Sequence, residues 1–207
     1  MPALTKLRLI LASGSPRRAE ILRDAGFAFA VRPVPVDESP LPRESARRHV
    51  ERLAREKVLA AARHIRGPAL VLGADTVVVV RGQILGKPQS HNDARRMLRL
   101  LSGRKHQVLT GLAILRLDPP ARGSRQLRPA ALRCETEITA VWFTRLTRRE
   151  IEDYVASGEP ADKAGAYAIQ GRAGCFITRI EGCYFNVVGL PLARLYHMLR
   201  AMGIRTV

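Results

Sequence analysis

The chain has 207 residues, 46% apolar and 26% charged, enough for one well-cored domain or two small lobes. That composition excludes wholesale disorder and a fibrous repeat. No apolar run reaches the ~20 residues of a membrane helix, and the short apolar stretch in MPALTKLRLILASGSPRR, closed by Arg-Arg, argues against a secretory signal.

The elements follow in chain order. Leu7–Ser13 predicts a strand and Pro16–Ala25 a helix, with Ser15 as N-cap, Pro16 as first helical residue and Gly26 as the stop. Phe27–Val34 reads as a strand broken by Pro33 and Pro35. Arg43–Ile65 has helical periodicity, with Val50, Leu53, Ala54, Val58 and Ala61 on one stripe. The β-branched run Ala69–Val80 predicts a strand, turned at Arg81-Gly82 into a short partner around Ile84 and Leu85. Asn92–Leu101 predicts a helix with Met97, Leu98 and Leu101 inward. Strands Gln107–Leu117 and Cys134–Leu146 flank a Pro/Arg-rich insertion, Asp118–Leu132, expected to be an exposed, mobile hairpin loop. A capping box at Thr147 and Glu150 opens a helix to Ala156, and strand Cys175–Ile180 and helix Pro191–Met202 complete the chain. With no internal repeat and no clear linker, the mixed order predicts an α/β fold around a mixed sheet.

The net charge of +17 is spread along the sequence, aromatic residues are only 5%, and there is no Gly/aromatic RNA-binding signature. A solvated Arg-rich surface is therefore the expectation, not a nucleic-acid partner. The basic residues are 30 Arg and five Lys: Lys6, Lys57, Lys87, Lys105 and Lys163. So lopsided a ratio suggests that Lys is kept where a compact point charge fits and a planar fork does not. Cys134, Cys175 and Cys183 show no CxxC spacing and leave an odd count, which argues against a disulfide framework or zinc site and predicts a reducing cytoplasm.

Five groups carry candidate chemistry. In SGSPRR, Arg17 and Arg18 stand in a first helical turn that ordinarily prefers acids. Either they are exposed arginines of an Arg-rich chain, or they join Ser13, Ser15 and the free N–H groups of the turn in a phosphate site. In VLGADTVVVV, Asp75 lies inside an apolar strand, where a lone carboxylate needs a cation, a metal or a proton. This favours a metal ligand or general base, with Thr76 as a hydrogen-bonding neighbour, over a turn cap. Asp37-Glu38 is a solvated pair or, with Asp75, part of an oxygen-rich Mg²⁺ shell. Lys57 and Lys87 read individually as surface lysines, the latter rigidly presented by Gly86 and Pro88. GEPADKAGAYAIQG places Asp162, Lys163, Tyr167 and Gln170 among small residues, either as a tight loop or as a site for a flat ligand whose edge Gln170 reads. The five histidines lie in helical or polar settings without a nucleophile motif, and neither a Walker loop nor GxGxxG is present. Phosphate binding without those cradles, combined with carboxylates, points to metal-assisted hydrolysis.

Together, SGSPRR, GADTVV, GKP and DKAGAYAIQG, in this order, resemble the Maf family of nucleotide pyrophosphatases from Leu9 through NVVGLPL at Asn186–Leu192. The resemblance implies two lobes around a cleft with helices on both faces of a twisted mixed sheet, as in inosine-triphosphatase-like folds. It also implies a homodimer and hydrolysis of nucleoside triphosphates to monophosphate and pyrophosphate with a divalent cation, Mg²⁺ or Mn²⁺. Arg17 and Arg18 then resemble the phosphate-binding pair, Asp75 the proton acceptor, and Glu38 the second acidic group and metal ligand. Lys57, Lys87 and Lys163 resemble the cations around the triphosphate. DKAGAYAIQG is similar to the branch acting on dTTP and UTP, with Arg17, Thr76 and Gln170 at the substrate-discriminating positions. The rival readings are a nucleotide-binding regulator of septum formation without turnover and, further off, a basic nucleic-acid binder.

Overall fold

The computed structural model describes residues 7–120 and 127–204. Seven strands form one sheet in the order β2-β1-β3-β5-β6-β7, with β4 pairing β3 beside this path. The strands are β1 (Arg8–Leu11), β2 (Phe29–Val31), β3 (Ala69–Val80), β4 (Gln83–Leu85), β5 (Lys105–Asp118), β6 (Arg128–Phe143) and β7 (Ile177–Glu181). The helices are α1 (Pro16–Asp24), α2 (Ala46–Ala62), α3 (His91–Leu101), α4 (Arg148–Ala156), α5 (Tyr184–Val188) and α6 (Leu192–Ala201). The mixed α/β sheet expected from sequence is present: β1 runs parallel to both β2 and β3, while β4 is antiparallel to β3 and β7 to β6.

The chain divides into two compact units, one comprising Met1–Asp75, Gly111–Thr136 and Leu192–Val207, the other Thr76–Thr110 and Glu137–Pro191. In the first, β1 lies between two parallel neighbours, which explains its nearly continuous burial. The predicted stripe of α2 is buried along its length. Two glycines set how closely α2 lies against the strands. A Cβ on Gly73 of β3 would come 2.6 Å from the Ala54 carbonyl oxygen, and one on Gly111 of β5 would come 2.3 Å from that of Val50. Neither has a positive φ; what each supplies is space for the helix backbone. That close approach places Lys57 of α2 against β3.

The second unit packs Val78, Leu85, Met97, Leu98, Leu101, Phe143 and Tyr154 into one core. Met97, Leu98 and Leu101 face inward as their spacing predicts. The β3–β4 turn is made by Arg81 and Gly82, with φ of +51° and +76°, the left-handed pair that a tight hairpin requires. Thr147 and Glu150 make the predicted capping box.

Several boundaries differ from the sequence reading. The helix expected over Arg43–Ile65 begins only at Ala46, because Ser45 takes the N-cap and accepts the Arg48 N–H. The strand expected from Cys134 starts at Arg128, so the connection after Asp118 is shorter than the insertion proposed over Asp118–Leu132, of which residues 121–126 lie outside the described ones. Helix α5 and the 3-10 turns Glu159–Asp162, Ala164–Ala166 and Arg172–Phe176 carried no sequence signal strong enough to predict. Nor does His106 sit in a polar setting. It is 2% exposed, edge-on to Phe143 and Tyr167, with Nε2 2.9 Å from the Tyr167 hydroxyl.

Burial pushes the His106 imidazole down to about 4 from its ordinary 6.5, against a smaller opposing effect of the Arg104 backbone. The folded chain therefore holds the neutral ring, and from pH 6.5 down to 4 only the unfolded chain takes up the extra proton. Stability should fall through that window by about 3 kcal/mol as the pH drops. Urea unfolding at pH 7, 5.5 and 4 checks this, and His106→Gln should flatten the slope.

Candidate active site

Of the charged residues singled out from sequence, the first unit holds Arg17, Arg18, Asp37, Glu38, Lys57 and Asp75. Ser13, just beyond β1, is buried, and its Oγ accepts both the Ser15 N–H, at 3.2 Å, and a guanidinium N–H of Arg18, at 3.0 Å. Arg18 is 8% exposed and also donates to the Ala74 carbonyl oxygen at 2.8 Å, so it binds the first turn of α1 to β3 one residue before Asp75. Burial lowers the pKa of this guanidinium, while the charges of Asp75 and Glu38 work in the opposite direction. Arg17 is half-buried. Ser15 occupies the N-cap position as predicted, but its side chain makes no capping hydrogen bond, and the first turn holds no acid.

Asp75 has the cation that its position demanded. The Lys57 ammonium lies 2.7 Å from Asp75 Oδ1 and 2.6 Å from Glu38 Oε1. Lys57 and Asp75 are each 7% exposed, whereas Glu38 is exposed on its loop. Lys57 is thus no surface lysine, contrary to its reading in isolation: Gly73 lets α2 approach until the ammonium reaches β3. The signal for this was in the sequence, as a glycine two residues before the buried acid, but only the packing gives it meaning.

The loop carrying Glu38 is fastened to the same helix by residues that the motif reading passed over. Arg52 donates to the Ser39 carbonyl oxygen at 3.0 Å and to both oxygens of Glu44, at 2.7 and 2.9 Å. Glu44 also accepts the Leu41 N–H at 3.1 Å and lies 3.0 Å from His49 Nδ1. Arg52 is the main cause holding the Glu44 carboxyl at about 2, against the cost of desolvation. Helix α2 therefore grips the acidic loop twice, through Lys57 on Glu38 and through Arg52 on the backbone beside it.

The remaining predicted residues belong to the second unit. Thr76 Oγ1 is 3.0 Å from Thr110 Oγ1, which in turn donates to the Asn186 carbonyl oxygen at 3.2 Å. Lys87 is exposed, and Lys163 pairs with Asp162. The two lysine-bearing segments are joined by the Gly165 N–H, which donates to the Gly86 carbonyl oxygen at 3.0 Å. Gln170 is exposed at the end of DKAGAYAIQG, whereas Tyr167 is buried, 5% exposed.

Among the described residues no group of three or more His, Cys, Asp and Glu stands together as a metal cage. The chemistry of Asp75 and Glu38 nonetheless fits a hard divalent cation. Both are carboxylates, they already hold one cation in common, and Mg²⁺ typically takes one or two carboxylates plus substrate phosphate.

Comparison with known proteins adds sequence and fold relationships. A family model described as Maf-like protein matches residues 8–202. A "dTTP/UTP pyrophosphatase" of Anaeromyxobacter sp. (strain Fw109-5) is 53% identical over 196 residues, 95% of this chain and 90% of that protein. Proteins of the same name from Symbiobacterium thermophilum and Hahella chejuensis are 50% and 46% identical, covering 95% and 96% of this chain and 94% of each relative. Among solved structures, the Staphylococcus aureus Ham1 protein superposes with a TM-score of 0.51 at 14% identity, over 94% of this chain and 99% of that one, which shows a shared fold.

Replacing Lys57 with Met leaves the buried Asp75 carboxylate without its ammonium. The expected cost is about 3 kcal/mol of unfolding free energy in urea, most of it regained in the double variant Lys57→Met/Asp75→Leu.

Proposed function

The chain belongs to the Maf-like protein family, and on that premise we propose that it is a nucleoside triphosphate pyrophosphatase hydrolysing dTTP and UTP to the monophosphate and pyrophosphate. The observation that carries this reading is the ammonium-bridged pair Asp75 and Glu38, one acid buried in β3 and the other on an exposed loop, in a chain about half identical to proteins bearing that name. The substrate is a small nucleotide. The proposal includes a cytoplasmic homodimer with no nucleic-acid partner.

In this mechanism a water attacks the α-phosphorus and Asp75 accepts its proton. The Lys57 ammonium, 2.7 Å from Asp75 Oδ1, fixes the direction the carboxylate faces. Ser13, Ser15, Arg17 and Arg18 bind phosphate oxygens, with Arg18 held in place by Ser13 and the Ala74 carbonyl. Arg and Lys charge offsets the negative charge that grows on the leaving pyrophosphate, and here Lys87 and Lys163 take their roles from the likeness of their motifs. Thr76 and Gln170, together with Arg17, discriminate among nucleobases on the same basis. Asp75 and Glu38 hold the divalent cation, Mg²⁺ or Mn²⁺. When bound, that ion supplies Lewis-acid stabilisation of phosphoryl charge.

Phosphate release from dTTP in the presence of an inorganic pyrophosphatase tests the activity. Asp75→Asn keeps an oxygen acceptor for Lys57, so the protein should stay folded by circular dichroism while turnover falls at least about 100-fold. Turnover at the wild-type rate would remove Asp75 from its role as proton acceptor. With dTMP formation read directly by chromatography, without the coupling enzyme, EDTA should abolish activity and added Mg²⁺ or Mn²⁺ should restore it. Hydrolysis undiminished by EDTA would exclude the metal assignment.

A further inference from the structure

Gln170 is exposed, yet the backbone on either side of it is held by one pair of side chains. The Tyr154 hydroxyl, on α4, donates to Glu159 Oε1 at 2.8 Å and accepts the Ala168 N–H at 3.2 Å. The other oxygen of the same carboxylate, Oε2, accepts the Arg172 N–H at 3.0 Å. The bonds thus fall two residues before and two residues after Gln170. Between them, a Cβ on Gly171 would lie 2.2 Å from Glu159 Oε1 and 2.6 Å from Oε2, so a side chain there would displace the carboxylate from the bonds it makes. With φ of −106°, Gly171 is needed there for space and not for its backbone conformation.

The anchor behind this pair is rigid. Tyr154 is 2% exposed, lies edge-on to Phe176 with ring centroids 5.4 Å apart, and sits on a helix fixed at its start by a capping box. Burial, reinforced by the hydrogen bond to Glu159, raises the pKa of the phenol and keeps its proton on the oxygen. A second fastening, from Tyr167 to His106, holds the loop one residue before Ala168. None of these groups carries charge or a polar atom that the proposed hydrolysis requires.

We infer that the Tyr154–Glu159 pair is a positioning device that fixes where Gln170 presents its amide and thereby sharpens discrimination between nucleobases. The inference rests on the assignment of Gln170 as a base-discriminating residue. Glu159 acts on substrate only through Gln170. It is a positioning residue, one that the conspicuous lysine and glutamine of the motif conceal.

The test compares kcat/KM for dTTP and dGTP in wild type, Glu159→Gln, Gly171→Ala, Gln170→Ala and the double variant Glu159→Gln/Gln170→Ala. Glu159→Gln keeps the side-chain shape but offers one acceptor oxygen where the carboxylate serves both the Tyr154 hydroxyl and the Arg172 N–H, so one of the two bonds is lost. The dTTP preference should fall about fivefold, the effect of one lost hydrogen bond. Gly171→Ala should do the same by forcing the carboxylate aside. On the Gln170→Ala background, Glu159→Gln should cost no further preference.

A merely structural role would lower both nucleotides by one factor and leave their ratio unchanged, and that result would overturn the inference. So would losses that multiply in the double variant. Amide hydrogen exchange across residues 167–172 is read in parallel and needs no turnover: faster exchange in Glu159→Gln, with α4 unchanged, is expected, and unchanged exchange refutes the clamp. If Gln170→Ala retains the wild-type preference, the base-reading assignment itself fails and the specificity role of Glu159 falls with it.

Discussion

The approach of α2 to β3 at Gly73 is the constraint on which the charged site depends. An ionised carboxylate inside an apolar strand is expensive unless a counter-charge reaches it with good geometry. Lys57 can do so because the strand carries no side chain at Gly73, where even a methyl group would strike the Ala54 carbonyl and Val58. The same ammonium then has a second contact available, and it takes Glu38 from a loop that has no core of its own. Packing thus decides the electrostatics. The closeness of two backbones determines that a buried acid meets an ammonium and that a second acid is brought beside it.

Other groups of the first unit extend this arrangement. Arg18 joins the first turn of α1 to the β3 carbonyl preceding Asp75, while Arg52, its charge balanced by Glu44, secures the loop beside Glu38. Each is a guanidinium used as a fork with more than one acceptor, where a point charge would satisfy fewer partners. Lys57 is the complementary case: a compact ammonium between two carboxylates. The division of labour between 30 arginines and five lysines, suggested by composition, is realised at this place.

In the second unit the segments bearing the predicted residues are held by hydrogen bonds to backbone and to buried side chains. His106 and Tyr167 join in the core, Tyr154 and Glu159 hold the backbone around Gln170, and Gly165 ties DKAG to the turn that presents Lys87. Such bonds are directional and fix the polar stretch around Gln170, while Ala166 and Tyr167 anchor the same loop in the core.

Much of this was legible in the sequence. The β-branched run of β3, the α2 stripe, the Arg81-Gly82 turn and the Thr147 capping box are local patterns, and they appear as read. Asp75 stood out because its cost is local too: an acid among valines needs a partner wherever the strand lies. The identity of that partner was not legible, because Lys57 is separated from it by a loop and a strand. Nor were the role of Glu159, the burial of His106 or the importance of Gly73, which are statements about neighbours distant along the chain. By itself the sequence determined the elements, the mixed α/β order, the family motifs and the need for a charge opposite Asp75. Tertiary structure decided which cation answers that need and which side chains hold the loops, because those contacts arise only when separated segments pack within hydrogen-bonding distance.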